Sequence, residues 1–166
     1  MSKKRDTGFY YWLAGLIDGE GWFTLGKGNS KSHGGSSYHP VFGLKLRADD
    51  AYTLEYARFK TCIGRLYSYR GKTYGGRHNN PHITWKVSNI EDCYTLIQIL
   101  DEYPLRSKKQ LAYQVWREVV LDKYKHRGLG NGGSIASGLM QNKEMHEMSY
   151  LRLADLHKYH VQGTLN

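Results

Sequence analysis

The chain has 166 residues, a length that suits one domain with one hydrophobic core and leaves little room for a second. Hydrophobic residues make up 40% of it and charged residues 23%, which is typical of a folded globular protein and excludes a disordered chain. Its 24 Lys and Arg against 15 Asp and Glu give a net charge of +9, which predicts a polyanionic partner, most commonly nucleic acid. The charge alone leaves open a basic protein without such a partner.

No apolar run reaches the roughly 18 residues that a membrane span needs, so we expect no contact with a membrane. The basic N-terminus is followed by an apolar stretch that contains Asp18 and Glu20, which argues against a secretory signal. We therefore expect an intracellular protein, in the cytoplasm or nucleoid or in an organelle of a eukaryote. Cys62 and Cys93 lack metal-type spacing and are interpreted as small core residues of a reducing compartment.

The first predicted elements are a helix and a strand. Apolar residues three and four apart predict a helix from Phe9 to Glu20, with Thr7 as its N-cap. Trp22 to Gly26 alternates like a strand and precedes a Ser- and Gly-rich turn at 29–37.

The next strand begins at Phe42, where apolar residues alternate with Gly43, Lys45 and Arg47, so that the strand has a basic outer face. A helix is predicted at 50–62, with Gly64 as its stop.

The second half of the chain repeats the order of strand, strand and helix. Two strands are predicted at 65–70 and 82–87, joined by a polar loop at 71–81. Asn89 is placed as the cap of a helix over 90–102, which ends before Pro104. Further helices are predicted over 107–125 and 143–159, separated by a Gly-rich stretch at 126–141.

This order predicts an α+β fold with a four-stranded antiparallel sheet. Helices would cover one face of the sheet, and the other face would be solvated. The solvated face would carry basic and tyrosine side chains, which suit a nucleic-acid surface.

Two glycines in the first helix need an explanation, because glycine in a helix costs about 1 kcal/mol relative to alanine. Gly15 and Gly19 are four residues apart and therefore lie on one face of the helix. Small residues at this spacing allow another helix to approach closely. The spacing predicts that the helix packs against a second copy of itself.

Two carboxylates, Asp18 and Glu20, end the same helix, where the helix dipole disfavours negative charge. Two such ends brought together would gather acids that a cation must neutralise, and Mg²⁺ bound by one or two carboxylates and phosphate oxygens is a common solution. The residues by themselves also allow a packed helix with two solvated acids beyond its end.

The stretch Leu13-Ala14-Gly15-Leu16-Ile17-Asp18-Gly19-Glu20-Gly21 resembles the motif of the LAGLIDADG homing endonucleases and differs from it at two positions, Gly19 for Ala and Glu20 for Asp. The resemblance runs to about Asp122, giving a core of about 6–122 in a single domain over 1–166. The segment at 103–110 resembles the family's Pro-Leu-x-Thr-Lys-Lys segment. Ala48 departs from the pattern, because Gln is common at that position.

The resemblance implies an αββαββα core with a saddle-shaped sheet over DNA, followed here by extra C-terminal helices. It also implies a site-specific, intron-encoded DNA endonuclease that hydrolyses one phosphodiester on each strand of a long site. Glu20 would bind the metal, Mg²⁺ or Mn²⁺, and Ca²⁺ would bind without supporting cleavage. Lys108, preferred to Lys109, would be the second catalytic residue and would stabilise charge at the phosphate.

Family members with one motif dimerise through the motif helix, and this chain has a single copy, so a homodimer on a pseudo-palindromic site is implied. The residues expected at the dimer interface are Trp12, Leu13, Gly15, Leu16 and Gly19. Those expected to contact double-stranded DNA are Lys27, Lys45, Arg47, Tyr67, Tyr69, Arg70, Lys72, Arg77 and Lys86.

Two alternatives remain from the sequence. One is a nucleic-acid binder that does not cleave, such as an intron RNA maturase or a DNA-binding regulator, and RNA is the less favoured ligand. The other is a structural protein that uses the glycine helix to dimerise, which leaves the +9 charge unexplained.

Overall fold

The protein is described from a computed structural model, which covers residues 6–30, 35–74, 77–127 and 142–162. In chain order the elements are α1 (Thr7–Glu20), β1 (Gly21–Ser30), β2 (Gly35–Arg47), a 3-10 turn (Ala48–Asp50), α2 (Ala51–Thr61), β3 (Arg65–Tyr69), β4 (Lys72–Tyr74), β5 (Arg77–Asn79), β6 (His82–Val87), α3 (Ile90–Glu102), α4 (Lys109–Lys125) and α5 (Lys143–Gln162). This confirms the predicted α+β fold with helices after the core.

The main sheet has four strands in the order β1-β2-β6-β3, and each neighbouring pair is antiparallel. β1 and β2 are longer than predicted, so that the connection between them is residues 31–34, outside the described part of the chain. The predicted polar loop at 71–81 contains a separate short hairpin of β4 and β5.

Side chains alternate between the two faces of the sheet, because the strand period is two residues. The helix-covered face buries Phe23, Phe42 and Trp85, each fully inaccessible to solvent. Trp116 of α4 packs against Phe23 with ring centroids 5.3 Å apart, which ties the helix layer to the sheet. The predicted alternation of β2 is confirmed, because Phe42 and Leu44 are buried while Lys45 is exposed.

Helix ends follow local hydrogen bonding. Asn89 caps α3 as predicted, and its side chain accepts from Glu91 N at 2.8 Å. The predicted N-cap at Thr7 is wrong, because Asp6 holds that position and its carboxylate accepts from Phe9 N at 3.2 Å.

The end of α2 also differs from the prediction that Gly64 stops the helix. α2 ends at Thr61, and Cys62 takes the left-handed conformation with φ 58°. Cys62 is exposed, so its interpretation as a core residue is wrong, whereas Cys93 is buried as expected. Gly64 has φ 71° in the link to β3.

α5 packs on α4 and on the β1–β2 hairpin and extends beyond the predicted range of 143–159. Most of the predicted Gly-rich stretch at 126–141 lies outside the described residues. Within the described ranges no helix has the length and apolar character to cross a membrane.

Candidate active site and nucleic-acid interface

Glu20 is the last residue of α1, and its side chain is exposed. The carboxylate makes no hydrogen bond or ion pair with the described part of the chain. It lies two residues before Trp22, which begins the outward-facing row of β1. A carboxylate in this position is available to an external cation.

Asp18, two residues earlier, is engaged inside the chain. Its carboxylate accepts hydrogen bonds from Arg106 N at 2.7 Å, from Ser107 N at 3.1 Å and from Ser107 Oγ at 2.7 Å. These bonds join the end of α1 to the segment between α3 and α4. The two acids of the motif therefore differ in environment: Asp18 is hydrogen-bonded within the chain, whereas Glu20 is available to a ligand.

Lys109, the first residue of α4, reaches the same end of α1. Its Nζ donates to Gly19 O at 2.6 Å, one of the last carbonyls of the helix, which have no intrahelical donor. It also donates to Ile17 O at 3.4 Å, a carbonyl that accepts from Gly21 N as well. Burial lowers the pKa of Lys109, and the Glu20 and Asp18 carboxylates oppose that shift. Lys108 is exposed at the N-terminal end of α4, so the structure brings Lys109 rather than the preferred Lys108 to the motif acids.

The described residues contain no cluster of three or more His, Cys, Asp or Glu side chains that could hold a metal ion. At the end of α1, the described part of one chain therefore provides a single free carboxylate, that of Glu20, as a ligand for a hard cation. This donor set fits Mg²⁺, which keeps several water ligands and is bound through one or two carboxylates together with substrate phosphates.

The outer face of the sheet, called here the open face, carries the basic and aromatic residues predicted for it. Lys45 and Thr84 are paired across β2 and β6, and Tyr67 lies opposite Thr84 on β3. A depression of about 480 Å³ lies on this face. Its lining residues are Trp22, Val41, Lys45, Tyr69, His82, Thr84 and Lys86.

Close ring contacts fix two of the aromatic side chains on the open face. The indole of Trp22 covers Gly43, where a Cβ atom would lie 2.1 Å from Trp22 Cζ2. Tyr69 stacks on His82 with ring centroids 4.7 Å apart. The face therefore presents flat apolar surfaces beside its cations.

Sequence reasoning did not select Trp22, His82 or Thr84 as part of this face. The signal for Trp22 was present, because it alternates with Phe23 in a strand whose other face is apolar. The places of His82 and Thr84 on this face could not be predicted without the strand pairing. Their partners on β2 and β3 show which face of the sheet these two residues share.

The predicted DNA contacts do not all share the open face. Lys27 lies on the helix side of the sheet, with Nζ 5.8 Å from the ring centroid of Tyr38 and 5.9 Å from that of Tyr150, so this predicted DNA contact is not part of the open face. Arg47 lies on the open face and is paired with Asp49 through two hydrogen bonds of 3.1 and 2.9 Å.

The other predicted contacts are placed as follows. Arg70 is exposed just after β3. Lys72 and Arg77 belong to the β4–β5 hairpin, and their side chains lie outside the described part of the chain.

The outward face of α1 carries the predicted glycines. Nothing in the described structure lies within 4 Å of a Cβ atom built at Gly15 or Gly19, so both positions face open space. Trp12 is 40% exposed, and Leu16 is partly buried. Leu13 is fully buried in the chain's own core, so its prediction as an interface residue is wrong.

These features define an α+β protein with a basic open sheet and a free carboxylate at the end of its first helix. The family model described as LAGLIDADG endonuclease matches residues 13–120. This match covers more than half of the chain, and the chain belongs to that family.

Among curated proteins, the chain is 28% identical over 102 residues to the intron-encoded DNA endonuclease aI3 of Saccharomyces cerevisiae, covering 61% of this chain and 22% of that protein. It is 26% identical over 114 residues to the uncharacterized mitochondrial protein RF1 of the same yeast, covering 69% and 21%. The chain spans about a fifth of the length of these relatives.

Two solved structures show the same fold at low identity. The homing endonuclease I-TnaI is 18% identical with a TM-score of 0.62, and the match covers 89% of this chain and 97% of that chain. The meganuclease I-SmaMI bound to uncleavable DNA is 20% identical with a TM-score of 0.65, and the match covers 84% of this chain and 42% of that chain.

Proposed function

We propose that the chain is a site-specific DNA endonuclease that acts as a homodimer and hydrolyses one phosphodiester on each strand with a divalent metal. The observation that carries the proposal is the exposed carboxylate of Glu20 at the end of α1, which makes no hydrogen bond or ion pair in the described structure and interacts electrostatically with Lys109. Family membership and relatives described as DNA endonucleases support it.

The roles of the residues at the end of α1 follow from their contacts. Glu20 would hold Mg²⁺ or Mn²⁺, which supplies Lewis-acid chemistry that activates water and stabilises charge on the phosphate. Asp18 fixes the direction in which α1 ends, through its bonds to Arg106 and Ser107. Lys109 replaces Lys108 as the cation we assign to the phosphate, because its Nζ is held beside the motif acids.

The open face would bind the duplex. Lys45 and Lys86 are exposed and lie on this face, where long cations can reach phosphates or base edges. Tyr67 and Tyr69, exposed at 41% and 50%, extend the same surface along β3.

A homodimer is proposed because one chain supplies one Glu20 at the end of α1, while cutting two strands needs two such ends. The outward glycines of α1 leave room for a second helix to approach closely. I-TnaI, which this chain covers over 97% of its length, shows that a solved homing endonuclease can have a chain of similar size.

The decisive experiment begins with a duplex selected by the protein from a randomised library. A plasmid with the selected site is then incubated with Mg²⁺ and with wild-type protein or Glu20→Gln. We expect the wild type to cut both strands and the variant to bind equally well without cutting. Binding without cutting by the wild type would support the non-cleaving binder instead, and equal cutting by the variant would remove Glu20 as ligand.

The adjacent lysines offer a matched pair for the second assignment. Lys109→Met should abolish cleavage, because it removes the cation held at Gly19 O, while Lys108→Met should retain most of it. The measurement is the single-turnover rate at saturating protein. The reverse order of the two rates would restore Lys108 as the catalytic lysine.

A further inference from the structure

The chain carries an exposed aromatic strip on α2, formed by Tyr52, Tyr56 and Phe59. These residues lie at helical positions i, i+4 and i+7 and are 76%, 37% and 75% exposed. Such a row of large apolar side chains in water is typical of an interaction surface.

The aromatic strip continues directly into the outward face of α1. The ring of Tyr56 lies 5.8 Å from that of Trp12 and 5.5 Å from that of Phe9, and Tyr52 stacks on Tyr56 at 6.4 Å. Lys60 is bonded to Asp6 at 2.7 Å, which joins the end of α2 to the start of α1. The two helices therefore present one continuous surface.

The outward face of α1 is too small to form a stable interface alone. Stable interfaces bury about 800 Å² on each partner and use roughly 20–30 residues on each side. The seven exposed residues of α1 include three glycines, which add little side-chain area: Thr7, Gly8, Tyr11, Trp12, Gly15, Gly19 and Glu20. A dimer that pairs through α1 must therefore bury neighbouring surface as well.

We propose that the aromatic strip of α2 is the second half of the homodimer interface and that its occupant is a second copy of this chain. The proposal rests on the proposed function, because both Glu20 carboxylates must then lie at the same end of the paired helices. The two α1 helices consequently run in the same direction, and the two-fold axis is parallel to them.

This symmetry determines which surface meets the aromatic strip. The two flanks of α1 differ, because Trp12 contacts Tyr56 on one side while Tyr11 contacts Tyr103 at 5.0 Å on the other. A two-fold axis parallel to the helices places the α2 flank of one copy against the Tyr11 flank of the other. Tyr11 is 63% exposed and provides a further aromatic surface there.

The test compares the dissociation constants of full-length dimers by sedimentation over a dilution series. Tyr52→Ala with Phe59→Ala should weaken the dimer at least about tenfold, because large aromatic residues commonly dominate interface energies. The matched control is Met148→Ala with Leu151→Ala on α5, where the side chains are 62% and 51% exposed. That control should dimerise like the wild type.

Gly15→Leu separates this proposal from the α1 pairing on which it rests. The position faces open space in the monomer, so the variant should fold but fail to dimerise. Loss of the dimer in Gly15→Leu together with wild-type dimerisation of the Tyr52/Phe59 variant would overturn the aromatic strip and leave the proposed function intact. A monomeric wild type would overturn both.

A double-mutant cycle tests the predicted contact across the interface. If Tyr52 of one copy packs against Tyr11 of the other, the combined variant Tyr11→Ala/Tyr52→Ala weakens the dimer less than the product of the two single effects. Independent effects would show that the aromatic strip does not meet the Tyr11 flank.

Discussion

Asp18→Asn tests the separation of roles between the two motif acids. The Asp18 carboxylate uses Oδ1 for both bonds from Ser107 and Oδ2 for the bond from Arg106 N. An asparagine keeps one oxygen, so an amide NH₂ must face at least one backbone N–H donor. One bond is lost and that donor is left without an acceptor.

The expected cost follows from these contacts. A hydrogen bond to a charged group contributes about 1.5–3 kcal/mol, and half-burial of Asp18 places the loss near 2 kcal/mol. For a chain of this size that lowers the melting temperature by about 4–8 °C at fixed protein concentration.

Glu20→Gln is the control for this measurement, because it removes an exposed charge that makes no bond in the described structure and that the helix dipole disfavours. Its melting temperature should equal or slightly exceed that of the wild type. Both melting temperatures are measured by calorimetry and compared with that of the wild type. If Asp18→Asn melts with the wild type, or if Glu20→Gln loses as much stability, the assignment of Asp18 as the structural acid is refuted.

Three further predictions concern other sites. Gly64→Ala should lower the free energy of unfolding by about 2 kcal/mol or more, because φ is 71° and a Cβ would lie 2.7 Å from Lys86 O. An unchanged midpoint of urea unfolding would contradict this. Gly43→Ala should displace the Trp22 indole and weaken duplex binding measured by anisotropy, whereas Gly26→Ala, with its nearest atom at 3.8 Å, should not. Burial, with help from Lys123, lowers the pKa of His146, so the unfolded chain binds its proton first. The unfolding free energy should therefore fall as pH drops below about 6.5. A flat profile, or a fall that is the same in His146→Leu, would reject this cause.

Much of the fold could be predicted from the sequence, because periodicity reports local environment. The alternation from Phe42 to Arg47 predicted both faces of β2, and Asn89 predicted the start of α3. The α2 stop was missed because Cys62 adopts a left-handed conformation that the sequence pattern assigns to glycine.

The candidate site was only partly predictable from the sequence, because some of its contacts join residues that are distant in the chain. The motif identified Glu20, since residue type and position along one helix are local properties. The choice between Lys108 and Lys109 was not predictable, because it depends on how the start of α4 packs against the end of α1, 90 residues away in sequence. Lys27 was chosen as a DNA contact for its charge, and only its position along β1 shows that it lies on the helix side of the sheet.

The sequence by itself determined the motif helix, its glycine spacing, its two terminal acids and the net charge of +9. The tertiary structure decided which acid is bonded and which is free, which lysine lies beside them, and which aromatic residues are left exposed around α1. The physical reason is that hydrogen-bond partners and burial depend on residues distant in the chain, whereas helical period, capping and charge are properties of neighbouring residues.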